Sequence, residues 1–180
     1  SRQCRGAGDE CMKARPRGCV FSVAALTLLV AGCTVSEEAP AVEAESATVV
    51  RVVDGDTVDV DGAEGFTVRL LGVDAPEAGE CGALEATQRL EQLLPPGTDI
   101  VVIADPVSDA TDRYGRRLAY IETSSHGDLG ALLVTEGLTG VWWPSSEPAP
   151  TRASGYEQLR DQARDAGTGS WGPCGRLGRG

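Results

Sequence analysis

The sequence predicts an α+β domain of five strands and three helices. Three observations carry that expectation: three β-rich runs divided by the turns "DGD" and "DGAEG", a helical apolar spacing over residues 83–94, and two further strands followed by two helical segments. With 180 residues, 41% of them hydrophobic and 24% charged, the composition is that of a globular protein with one core.

The first strand starts at Ala47 with "ATVVRVV" and ends at Asp54-Gly55-Asp56. "TVDV" follows and turns through "DGAEG", a sequence suited to a hairpin, into the third strand, "FTVRLLGVDAP". Short runs broken this way form a meander of curved strands. In "ALEATQRLEQLL" the residues Leu84, Ala86, Leu90, Leu93 and Leu94 recur at mostly helical spacing, and Pro95 with Pro96 stops the helix. "TDIVVIAD" and "RRLAYIET" read as strands four and five around the polar turn "DPVSDATDRYG". "DLGALLVTEGL" reads as the second helix with Asp128 as N-cap, and "YEQLRDQARDAG" as the third, closed by Gly167. No internal repeat is present.

Upstream of this domain, Met12 is followed by Lys13, Arg15 and Arg17 and then by the apolar run from Cys19 to Gly32, the charged and hydrophobic regions of a secretory signal. The run is short for a membrane span. Its end, "LVAGC", resembles the lipobox of bacterial lipoproteins, which implies a lipid on Cys33, a start at Met12, and removal of residues 1–32. Residues 33–46, acidic and rich in Ala, Pro and Ser, read as a disordered tether. The domain is expected over 47–174, with 175–180 as a flexible tail. Beyond residue 32 the chain carries 11 arginines, no lysine and 25 acids, a net charge of −14, which repels polyanions at long range. Removing Cys4, Cys11 and Cys19, and assigning Cys33 to lipid, leaves Cys81 and Cys174, which outside the cytoplasm suggests a disulfide. A zinc site is disfavoured: neither cysteine has a neighbouring ligand, and the single histidine, His126, sits in a solvated loop.

Arg69 lies between Val68 and Leu70 in an otherwise apolar strand that ends in two carboxylates around Ala75 and Pro76. Alone, such an arginine also fits the polar face of an edge strand. Together, however, "VVDGDTV", "VRLLGVDAPE" and "DRYGRRLAYI", in that order, make the sequence similar to the thermonuclease, or staphylococcal-nuclease-like (SNase-like), family over residues 47–172. The resemblance implies a five-stranded OB-like β-barrel packed by three helices, secretion or surface display, and calcium-dependent hydrolysis of DNA and RNA by a monomer.

Hairpin topology brings the start of the second strand beside the end of the third, so Asp56 and Asp74 are expected at one end of the ribbon. Paired like charges call for a cation, and hard oxygens suit Ca²⁺. The resemblance implies that Asp56 and Asp74, with the carbonyl of Ala75, hold that ion, with Asp54 behind them. So few ligands imply loose binding, on the order of 10⁻⁴ to 10⁻³ M. Arg69 and Arg116 are expected to grip the phosphoryl group, and Glu77 to deprotonate or to position the attacking water. Arg113 and Tyr114 match positions that contact a terminal phosphate, and Trp143 or Trp142 is placed to stack on a base or to cover the core. Two other readings stay open: a non-catalytic nucleic-acid-binding barrel, and an envelope lipoprotein module bound to the membrane through Cys33.

Overall fold

Pairing order explains the architecture. The computed structural model describes residues 43–62 and 64–179; the signal-like run, Cys33 and the tether up to residue 42 lie outside the described residues. Strands β1 (Ala44–Asp54), β2 (Thr57–Asp61) and β3 (Phe66–Leu70) form the expected antiparallel meander. β1 also pairs antiparallel with β5 (Asp99–Ala104), and β5 with β6 (Arg117–Thr123). β6 then returns to β3 in parallel, Val68 opposite Arg117 and Leu70 opposite Ala119. That last pairing closes five strands into the OB-like barrel and removes the open sheet edges. Register shifts in β1 between Val49 and Arg51, and between Val52 and Asp54, give the long strand the bend that closure needs.

Val58, Val60, Val68, Leu70, Ile100, Val102 and Ile121 fill the barrel. Helix α1 (Ala83–Leu93) adds Leu90 and Leu93, and α2 (Leu129–Thr135) adds Leu129 and Leu133 to the same core. Asp128 caps α2 as expected, its carboxylate accepting the Ala131 N–H at 3.0 Å. Helix α3 (Ala153–Asp165) starts earlier than the expected Tyr156, and α4 (Trp171–Cys174) is an additional single turn. The two-residue strands β4 (Val73–Asp74) and β8 (Gly140–Val141) pair with each other, and β7 (Gly127–Asp128) pairs antiparallel with the end of β6. Cys81 and Cys174 form a disulfide across 93 residues of sequence. Among the described residues no helix is long and apolar enough to cross a membrane.

Two expected boundaries change. The first strand starts at Ala44 rather than Ala47, because β5 is long enough to pair Glu45 with Val102 and Ser46 with Val101, and the Arg117 guanidinium meets the Glu45 carboxylate at 2.5 Å. A strand partner and a counter-ion outweigh the polar composition of that stretch. The tail after residue 174 does not hang free either. Fixed at its root by the disulfide, it buries Leu177 against Ala163 and Trp171 and carries Arg179 back to Asp74.

Candidate active site

The turn after β1 places the first carboxylate. Asp54 accepts the Asp56 N–H at 3.1 Å, and Gly55 lies so close to the next layer that an added Cβ would stand 2.7 Å from the Ala75 Cβ and 2.8 Å from that of Ala86. Only glycine fits there, and the tight approach holds Asp56 beside the β3–β4 end. Its Oδ2 accepts the Ala75 N–H at 2.7 Å and its Oδ1 the Thr57 hydroxyl at 3.1 Å.

Register places the cation. Arg69 faces Thr57 across β2 and β3, one residue from Asp56. Its Nη2 lies 3.0 Å from Asp56 Oδ2 and 3.1 Å from Asp74 Oδ1, while Nη1 donates to the carbonyls of Leu70 and Val73 at 2.8 Å each. Here the geometry corrects the sequence expectation of a guanidinium free to meet an anion: Arg69 is 8% exposed and holds the acidic pair together itself. Asp74 also receives Arg179, whereas Asp56 has only its share of Arg69. Burial pushes the Asp56 carboxyl up to about 6, against the pull of Arg69 and with the help of Asp54.

The parallel β3–β6 pairing brings the "DRYGRR" turn to the same mouth of the barrel. Asp112 accepts the N–H groups of Tyr114 at 2.9 Å and Arg116 at 3.0 Å, and also the Arg116 side chain, Nε at 2.8 Å and Nη2 at 2.7 Å. Burial raises the Asp112 carboxyl, but the hydrogen bonds from Arg116 and Tyr114 outweigh it and hold the group below its ordinary value. Arg113 donates to the Tyr114 hydroxyl at 2.6 Å and lies 4.7 Å from its ring centroid. Of the arginines among the described residues, Arg113 and Arg176 alone have no carboxylate within ion-pair distance.

These groups meet in a cavity of about 700 Å³, whose lining includes Arg69, Glu77, Arg113, Tyr114, Arg116, Trp142, Trp143 and Arg179. Asp56 and Asp74 lie behind its Arg69 wall. Glu77 is exposed at the rim, its N–H donating to Glu80 Oε2 at 2.9 Å. Trp143 is half-buried against the core, and Trp142 carries the Arg179 guanidinium 4.1 Å from its ring. A larger cavity of about 890 Å³, lined by Glu43, Glu45, Asp105 and Arg117 among others, holds none of the residues expected to bind metal or act on substrate.

Two residues of the site escape a sequence reading. Asp112 stands four residues before Arg116, a spacing that signals an acid–base pair once the turn is known. Arg179 sits in "GRLGRG", which carries no signal. Its backbone N–H reaches Asp74 Oδ2 at 2.6 Å and its Nη2 reaches Oδ1 at 2.8 Å.

The donor chemistry of the acidic pair fits a hard divalent cation, since two buried carboxylates converge on one point. Arg179 and Arg69 hold both oxygens of Asp74, so such a cation competes with the chain's own arginines. Among the described residues no third carboxylate, cysteine or histidine joins the pair.

One mouth of the small closed barrel thus gathers arginines over paired carboxylates. The chain belongs to the staphylococcal nuclease homologue family, which its residues 67–173 match. It is 31% identical over 159 residues to a micrococcal nuclease of Shigella flexneri, a match covering 83% of this chain and 87% of that protein. Over 125 residues it is 28% identical to an uncharacterized endonuclease of Escherichia coli O157:H7 and equally to one of Escherichia coli, covering 68% of this chain and 74% of each. Family and relatives together support a nuclease.

Proposed function

We propose that the chain is a calcium-dependent nuclease that hydrolyses phosphodiester bonds of DNA and RNA outside the cytoplasm, secreted or held at the membrane by a lipid on Cys33. The observation that carries the reading is the convergence of Arg69, Arg113, Arg116 and the Glu77 carboxylate on one cavity in front of Asp56 and Asp74. Calcium on the two aspartates would supply positive charge beside the phosphoryl oxygens.

Arg113, with no carboxylate partner, is the group that first captures a phosphate, and Tyr114 orients it. Arg116 exchanges Asp112 for a phosphoryl oxygen as charge builds there, so its stabilisation is felt most in the transition state. Glu77 positions a water and takes its proton as the water oxygen attacks phosphorus; the opposite P–O bond breaks and its oxygen leaves with a proton from solvent. Trp142 or Trp143 receives a base.

The test uses purified residues 34–180 with closed circular plasmid and single-stranded DNA or RNA, in calcium or in chelator. We expect calcium-dependent degradation, with Arg116→Ala slower by about 10²- to 10³-fold. Cutting of the closed circle would require internal cleavage. Retention of labelled palmitate by the chain, and its loss in Cys33→Ser, tests the anchor. The binding-module reading is favoured by one observation, that Arg69 and Arg116 are each already neutralised; binding without degradation in either condition would select it.

A further inference from the structure

We propose that the segment Gly175–Arg179 is an autoinhibitory plug, in which Arg179 occupies the cation position on Asp74 and must swing away before a divalent ion can bind. The inference rests on the reading of Asp56 and Asp74 as the cation-holding pair.

Three independent contacts define the plug. Arg179 engages both oxygens of Asp74, through its backbone N–H at 2.6 Å and its Nη2 at 2.8 Å. Its guanidinium also stacks 4.1 Å from the Trp142 ring, so one residue covers both the acidic pair and the indole open to a base. Gly178 passes so close to the carboxylate that an added Cβ would stand 2.5 Å from Asp74 Oδ2 and 2.6 Å from its carbonyl, and its φ of +60° is the left-handed conformation that glycine adopts freely. The sequence therefore permits this approach only with glycine at 178.

The plug is anchored at its root and exposed at Arg179, the arrangement a displaceable element needs. The Cys81–Cys174 disulfide and the buried Leu177 fix its root. The Arg179 side chain, in contrast, is 56% exposed where it pairs with an Asp74 side chain that is 3% exposed. Swinging Gly178 and Arg179 outward frees the outer face of Asp74 without disturbing Leu177. Because the guanidinium and the ion share one ligand, they exclude each other, and apparent cation affinity falls by the fraction of molecules in which the plug is closed.

The experiment measures calcium affinity by titration calorimetry, with tryptophan emission as a second readout, on the full chain and on three variants. Arg179→Ala removes the cation; Gly178→Ala keeps every charge and forces the segment off Asp74; Arg176→Ala removes an exposed arginine of the same segment that makes no contact with Asp74. We expect the first two to bind calcium at least about tenfold more tightly than the full chain, with a matching change in Trp142 emission in chelator, and the third to bind as the full chain does. Equal affinity in all four chains overturns the plug while leaving the aspartates as ligands. Tightening confined to the two variants that lose a charge also overturns it, assigning the effect to long-range repulsion. Absence of calcium binding in every chain up to roughly 10 mM, well above the range of weak extracellular sites, overturns the cation reading and the plug with it.

Discussion

Arg69 shows how much a single side chain is asked to do. Its two terminal nitrogens serve two carboxylates and two carbonyls, all buried. Arg69→Ala strands Asp56 and Asp74 against each other with no shared cation in a poorly hydrated site, a loss expected to cost about 3–5 kcal/mol in the absence of metal. Arg69→Lys recovers only part of this, since an ammonium is a point charge and cannot span both acids and both carbonyls. Denaturant unfolding in chelator reads the effect as a lower midpoint at unchanged slope, and a loss below about 1 kcal/mol would show that the pair is not held by this residue. Motif spacing made Arg69, Asp56 and Asp74 legible as a set, yet not their mutual satisfaction. A sequence shows that opposite charges meet, but which of them stays free for a ligand depends on distances of a few tenths of an ångström.

Elements settle against one another through a second, partly buried polar network. Asp105 at the end of β5 accepts the Thr151 hydroxyl at 2.5 Å, the Tyr120 hydroxyl at 2.6 Å and the Thr151 N–H at 2.7 Å, tying the barrel to the approach of α3. Arg152 then bridges Asp128 at 2.6 Å and Glu122 at 2.8 Å, and the Tyr156 hydroxyl donates to Asp128 at 2.8 Å. Burial raises the Asp105 carboxyl, but its hydrogen bonds from Thr151, Tyr120 and Val107 overcome that and hold it at about 2, below the ordinary 3.8. A carboxyl depressed in the folded state contributes stability that is complete above its unfolded value and disappears as pH falls towards its folded value. Asp105→Asn is therefore expected to lower the melting temperature at pH 7, with the difference from the parent shrinking between about pH 4 and pH 2. A difference constant across that range would remove Asp105 from the acid transition. The long elements were legible because the apolar period that forms them is local. β4, β7 and β8 span two residues each and α4 a single turn; those exist only because the closed barrel presents partners, and no local pattern announces them.

At the scale of the whole molecule, charge decides how substrate arrives. Beyond residue 32, 11 arginines face 25 acids, and most of those arginines are already spent on internal carboxylates. Long DNA approaching the barrel mouth therefore meets net repulsion at a distance and attraction only within the cavity, from Arg113 first. Salt acts on these two ranges unequally: at physiological ionic strength charges beyond about 8 Å are largely screened, whereas groups in contact are screened far less. Raising salt from about 20 to 150 mM at saturating calcium should thus hold or increase the rate on long duplex DNA, while a dinucleotide-sized substrate, too small to feel the remote acids, should change little. A protein that captures DNA by counterion release behaves oppositely and loses orders of magnitude in affinity over such a range. Initial rates on both substrates across the series separate the two cases. A steep fall on the long substrate alone would mean that an extended basic track, rather than the cavity at the barrel mouth, brings nucleic acid to the site.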